Sequence, residues 1–157
     1  MAKKILIAFD ESENSQRAVD FVGAHFAGDC SVTLFNVLLD REAICAMESP
    51  ELIPYFKSEQ NAFCSLEDKK KEVVNQAMER GRRCLIDCGF SPDRVETRTK
   101  VREKGIARDI IKEIQNGKYD LVVLGKQGLS GFKEFFLGSV PQKIIHGAKN
   151  ASILLVE

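Results

Sequence analysis

Ile5-Leu6-Ile7-Ala8-Phe9, Leu121-Val122-Val123-Leu124 and Ile153-Leu154-Leu155-Val156 are short, unbroken apolar runs, and Val32-Thr33-Leu34-Phe35-Asn36-Val37-Leu38-Leu39 is nearly one. A strand with one wet face alternates polar and apolar residues; a strand covered on both faces need not. Runs this short without alternation predict strands buried beneath helices on either side, the habit of parallel sheets. Val95–Val101 differs: it alternates every two residues, which suits an edge strand with one wetter face.

Helical periodicity fills the gaps. Residues 15–26 place Ala18, Val19, Phe21, Val22 and Phe26 on one stripe. Residues 66–88 place Val73, Val74, Ala77, Met78, Leu85 and Cys88 on another, with Gly89 as a C-terminal cap. Residues 106–114 turn Ile110, Ile111 and Ile114 inward, and residues 140–148 turn Ile144 and Ile145 inward. The order β-α-β-α-β-α-β-α-β predicts a single-domain α/β fold, a doubly wound five-stranded parallel sheet with right-handed crossovers. Residues 40–65, with Pro50, Pro54 and several aromatics, fit no regular element and read as a variable insertion or flap.

The bulk properties exclude several roles. With 157 residues the chain accommodates one domain over 1–157. Lys plus Arg equals Asp plus Glu at 23 each, leaving no basic excess to neutralise a nucleic-acid backbone. The Asp68-Lys69-Lys70-Lys71-Glu72 run reads as a solvated helix face. No apolar stretch approaches the ~20 residues that span a bilayer, and the N-terminus enters a strand-like run without a signal peptide, so a cytoplasmic protein is expected. The five cysteines are odd in number and widely spaced, which argues against a disulfide framework and for buried reduced thiols. His25 is expected to be packed or half-exposed, and no motif places either His25 or His146 at a site.

Chemistry in such a sheet belongs outside the carboxyl ends of the strands, where strand order reverses. Three segments converge there: 10–15 after the first strand, 36–38 closing the second, and the glycine-spaced stretch after the fourth. In the last, Gly125, Gly128 and Gly131 precede Gly138-Ser139. Glycines permit positive φ and close approach of backbone N–H groups to a ligand. Ser139 suits an N-cap, Gln142 three residues on completes a capping box, and Pro141 suits a first turn. A helix beginning at Ser139 or Val140 would turn its positive end toward a bound anion. The same glycines also suit ordinary turns. The spacing is neither a P-loop nor the dinucleotide G-x-G-x-x-G. Asp10, at a strand end, suits either a ligand contact or a helix cap, and Ser12 and Ser15 suit caps.

The opening 4–15 and the motif Gly125-x2-Gly128-x9-Gly138-Ser139, together with the closing 138–156, resemble the universal stress protein family, in its ATP-binding subgroup, over nearly the whole chain. The resemblance implies a Rossmann-like, adenine-nucleotide α-hydrolase-like sandwich with strand order 3-2-1-4-5. It implies that adenine lies against Val37 with Asp10 as polar contact. Ala8 and Gly125 would lie near the ribose, and Leu124 would line the floor of the site. Gly128, Ser130, Gly138, Ser139 and Val140 would hold the phosphates of ATP, accompanied by Mg²⁺ or Mn²⁺. It implies a homodimer paired through Ile153, Leu154, Leu155 and Val156, and a nucleotide-dependent regulatory or stress-response switch that is not an enzyme. A nucleotide-free dimeric interaction module and a slow ATPase are the alternatives; an adenylating enzyme lacks its usual signature after the first strand. Glu11 and the Lys126-Gln127 pair depart from the family's common residues.

Overall fold

The computed structural model describes residues 3–26, 28–39, 54–126 and 137–157, with only the backbone described at 54–58 and 60. In chain order the elements are β1 (Lys4–Ala8), α1 (Glu13–His25), β2 (Ser31–Leu38), α2 (Pro54–Asp87), a 3₁₀ turn (Pro92–Arg94), β3 (Val95–Val101), α3 (Ile106–Gly117), β4 (Leu121–Gly125), α4 (Ser139–Gly147) and β5 (Ser152–Val156). The strands form one parallel sheet in the order β3-β2-β1-β4-β5, as expected.

Successive strand residues face opposite layers, and each layer has its own apolar core. Ile5, Ile7, Val32, Leu34 and Val123 pack with Ala18, Val19 and Val22 of α1 and Val74, Met78 and Leu85 of α2. Leu6, Phe35, Val122 and Leu124 pack with Ile110 and Ile114 of α3 and Ile144 of α4. This two-sided burial is why the central runs carry no polar alternation.

α1 starts where Ser12 caps it, its hydroxyl accepting from the Ser15 N–H at 3.3 Å. α2 ends in a Schellman turn: Gly89, at φ 104°, donates to the Ile86 carbonyl at 2.9 Å, and Phe90 donates to that of Leu85 at 3.1 Å.

Several expectations need correction. The irregular segment proposed for 40–65 is helical from Pro54 onward, while 40–53 lie outside the described residues. Proline at the first helical position loses no hydrogen bond, so Pro54 opens the helix instead of breaking it. β3 is an edge strand, but its burial does not alternate: Val95 is buried and Glu96 to Thr99 are all exposed. Neither helix layer reaches far across that edge, so Arg98 pairs with Glu96 and Glu113 at the surface. Val73 and Ile145 are 49% and 38% exposed, each one position off its helix's inward face. Of the thiols, Cys30 is buried, Cys84 is half-buried with its pKa pushed up to about 11 by burial and by Asp20, and Cys88 is exposed. Cys64 is disulfide-bonded, against the expectation of reduced thiols; widely spaced cysteines can still meet across a fold.

Candidate functional site

Strand order reverses at β1, whose neighbours β2 and β4 lead to opposite edges. Beyond the carboxyl ends of these strands lies a cleft of about 480 Å³, within the size range of small-molecule sites. Its walls come from the ends of all four strands β1 to β4, from α2, from α3 and from the start of α4.

The β1–α1 turn forms one wall. The Asp10 carboxylate accepts from the Ser12 N–H at 2.9 Å and the Ser15 hydroxyl at 2.7 Å, both at Oδ1, while Ser15 Oγ accepts from the Asp10 N–H at 3.0 Å. Asp10 therefore holds its own loop, as an Asx turn does, and also lines the cleft. Ser15 lies within the helix, not at its cap. The loop is tied to β2 by Asn36, whose Nδ2 donates to the Phe9 carbonyl at 2.7 Å. Among the described residues, Asn36 Oδ1 is buried without a hydrogen-bond partner.

The β4–α4 side forms the opposite wall. Gly125 needs to be glycine for packing: a Cβ there would stand 2.7 Å from Asn14 Cβ and 3.0 Å from the Asn14 carbonyl carbon. Gly138 donates to the Lys126 carbonyl at 3.1 Å, holding together the ends of the stretch between them. Neither glycine uses positive φ, contrary to expectation; Gly138 sits at φ −57°.

α4 begins at Ser139, as predicted, but Gly138 is its N-cap and no side chain caps it. The Gln142 N–H, which a Ser139 cap would have used, donates to the Gly138 carbonyl at 3.1 Å. The predicted capping box is absent because the helix starts one residue earlier. Pro141, the third helical residue, has no N–H to offer. By helix geometry the N–H groups of Ser139 and Val140 have no intrahelical partner, and both residues line the cleft.

The structure thus brings Ala8, Asp10, Val37, Leu124, Gly125, Gly138, Ser139 and Val140 to one cleft. Gly128 and Ser130 lie outside the described residues. No set of three or more His, Cys, Asp or Glu side chains is grouped for metal binding among the described residues. Asp10 and Glu11 nevertheless both border the cleft, and Mg²⁺ is commonly held by one or two carboxylates plus ligand phosphates. His25 stacks on Phe21 at 4.1 Å, and its Nδ1 lies 2.9 Å from the Phe21 carbonyl; His146 Nδ1 lies 2.7 Å from the Gln142 carbonyl. Neither borders the cleft.

Sequence reasoning missed two groups. Asp109, 1% exposed, accepts from the N–H groups of Glu103 at 2.9 Å, Lys104 at 3.3 Å and Gly105 at 3.3 Å. It secures the β3–α3 loop, from which Arg102 and Ile106 reach the cleft. Burial works to raise its pKa, but the three backbone donors outweigh that and hold it below the usual carboxylate value. Its position four residues after Gly105 in a helix's first turn was the available signal. The second group, Glu67, Lys70 and Lys71 of α2, lines the cleft as well; the 68–72 run is exposed throughout, as expected, and two of its lysines also border the cleft. Lys70 and Lys71 lie four and three residues before the buried Val74, which places them on the inward side of the helix.

The sequence profile of the Universal stress protein family matches residues 1–156. Universal stress protein YxiE of Bacillus subtilis is 27% identical over 155 residues, covering 92% of each chain. Universal stress protein MJ0577 of Methanocaldococcus jannaschii is 27% identical over 100% of this chain and 96% of its own. Its solved structure superposes with a TM-score of 0.70 over 99% of this chain and 96% of that one. A universal stress protein solved in complex with cAMP shares the fold at 20% identity and TM-score 0.61, covering 99% of this chain and 96% of its own.

Proposed function

The chain belongs to the universal stress protein family, and from that premise we propose that it binds an adenine nucleotide, ATP with Mg²⁺ or Mn²⁺, as a cytoplasmic, nucleotide-dependent stress-response switch. The observation that carries this reading is convergence. Residues from six separate segments line one cleft at the point of strand reversal, with the opening turn of α4 among its walls. A helix N-terminus favours a phosphate through its unpaired N–H groups and its dipole. Val37 and Leu124 offer the apolar surface a purine needs, and Asp10 a polar edge. Relatives of the same fold solved with cAMP and with AMP point the same way.

In this reading Gly128 and Ser130 complete the phosphate contacts. Asp10 and Glu11 both border the cleft, and a divalent cation bound with the nucleotide would offset their repulsion of its phosphates. Asp10, Val37 and the opening turn of α4 suit holding a nucleotide, and binding rather than turnover is the function proposed.

β5 offers the assembly surface. It is an edge strand carrying Ile153 and Leu154 half-buried and Leu155 40% exposed. A second copy pairing there would cover the edge and form a homodimer.

One observation favours the nucleotide-free module instead: Gly125 is demanded by Asn14, so its presence alone says nothing about a ligand. A thermal-shift experiment separates the two. ATP with Mg²⁺ at a hundredfold excess over Kd should add about 2.7 kcal/mol of stability, and Gly128→Val should remove that gain while the fold persists. No shift at millimolar ATP, together with no nucleotide released on denaturing the native protein, would establish the module.

A further inference from the structure

α2 is far longer than the strands it covers. Its 34 residues extend about 50 Å at 1.5 Å per residue. The eight residues of β2 extend about 26 Å. In a βαβ crossover the helix runs back from the carboxyl end of one strand toward the amino end of the next. The excess length at the start of α2 therefore overhangs the carboxyl edge, where the cleft lies. Glu67, Lys70, Lys71 and Val74 recur at i, i+3, i+4 and i+7, one face of the helix, and all four line the cleft. Val74 is buried against the sheet; the two lysines continue its face past the sheet's end.

Arg102 joins them from the end of β3, its N–H fixed to the Leu38 carbonyl at 2.6 Å. No ion pair engages Lys70, Lys71 or Arg102 among the described residues, whereas Lys126 is drawn off to Glu157 at 2.5 Å and Arg98 to Glu96 and Glu113. Among the described residues, the cleft's carboxylates are Asp10 and Glu11 after β1, and Glu67 on α2. The cations thus gather on the β2–β3 side, and the α4 N-terminus stands beside β4, three inter-strand spacings or about 14 Å from β3. Between the two ends the lining mixes apolar residues such as Val37 with the polar Asn36, Asp10 and Glu11.

We propose that Lys70, Lys71 and Arg102 form a second anion subsite, so that the cleft selects an adenine nucleotide carrying anionic groups at two positions rather than one. This rests on the adenine-nucleotide part of the reading given above and, within it, favours a ligand phosphorylated at two positions over ATP, whose phosphates share one. Overhanging lysines do little for the fold: both are exposed, and no ion pair with another described residue holds them. Their charge has a role once a ligand phosphate lies beneath them, where hydrogen bonds between ionised groups are strong.

The experiment is calorimetric titration of the full chain with AMP, ATP and adenosine 3′,5′-bisphosphate. The bisphosphate should bind on the order of tenfold tighter than AMP. In the double variant Lys70→Gln, Lys71→Gln the bisphosphate-to-AMP ratio should fall to about one. In the parent the same ratio should shrink as KCl rises, a reading that needs no variant. A parent ratio near one, or a ratio unchanged in the variant or by salt, overturns the second subsite while leaving nucleotide binding intact. If neither AMP nor ATP binds, the nucleotide reading falls and takes this subsite with it.

Discussion

Asp10 and Asp109 perform similar work in opposite surroundings. Each accepts backbone N–H groups at the start of a helix on the carboxyl side of the sheet. Asp109 is buried and gathers three N–H donors from the loop in front of it, with no place in the cleft wall. Asp10 is half-buried, holds one N–H and one hydroxyl through Oδ1, and borders the cleft. One carboxylate is consumed by the fold; the other shapes its loop and still borders the cleft. A strand-end aspartate is therefore a functional candidate according to what its surroundings leave unsatisfied, not according to its position.

The contrast can be broken most directly at Asp109. Asp109→Ala strands the N–H groups of Glu103, Lys104 and Gly105, and should cost about 2–4 kcal/mol in urea unfolding. Asp10→Ala should cost about 1 kcal/mol, because water reaches its loop. Equal costs would mean that the two carboxylates do the same job after all.

Gly125→Ala tests the wall beside Asp10. Its Cβ would press on Asn14, and overpacking of this kind costs roughly 1–3 kcal/mol. A variant as stable as the parent would show that the turn can shift, returning Gly125 to the ligand's account.

Acid unfolding sharpens the comparison further. The folded pKa of Asp109 is depressed, so its stabilisation is present above the unfolded carboxylate pKa of about 3.9 and is lost as pH falls through the folded value. Asp109→Asn should flatten the loss of stability below about pH 4 by on the order of 1 kcal/mol. An acid limb as steep as the parent's would assign that loss to other carboxylates.

The smallest stability effect and the clearest functional one belong to Asp10→Asn. Its amide oxygen can still accept from Ser12 and Ser15, so unfolding should shift by less than about 0.5 kcal/mol. Affinity for ATP with Mg²⁺ should fall about tenfold as the cleft loses a charge. Unchanged affinity would reduce Asp10 to a second Asp109.

Much of this was legible beforehand because it is local. An unbroken Leu121–Leu124 run has few ways to be buried except between two helix layers, and Gly138-Ser139 before Val140 marks a helix start whatever surrounds it. Charge gave less, since Lys70 in a run of charged residues looks solvated until the helix carrying it is seen to begin at Pro54. The cap also misled: Ser139 has the right chemistry, but a backbone able to close one residue earlier, with Gln142 on the Gly138 carbonyl, did so.

Sequence by itself determined the five strands, the helices between them and the gathering of Asp10, Val37 and the α4 start at the strand ends, because hydrophobic periodicity and chain direction imply a doubly wound parallel sheet; its strand order came from the family resemblance. Only the tertiary structure decided that Gly125 answers to Asn14, that Asp109 is spent on its own loop, and that α2 overhangs the cleft with two lysines. Those facts depend on distances between segments far apart in the chain, and no residue carries a mark of its distant neighbours until the backbone has been folded around it.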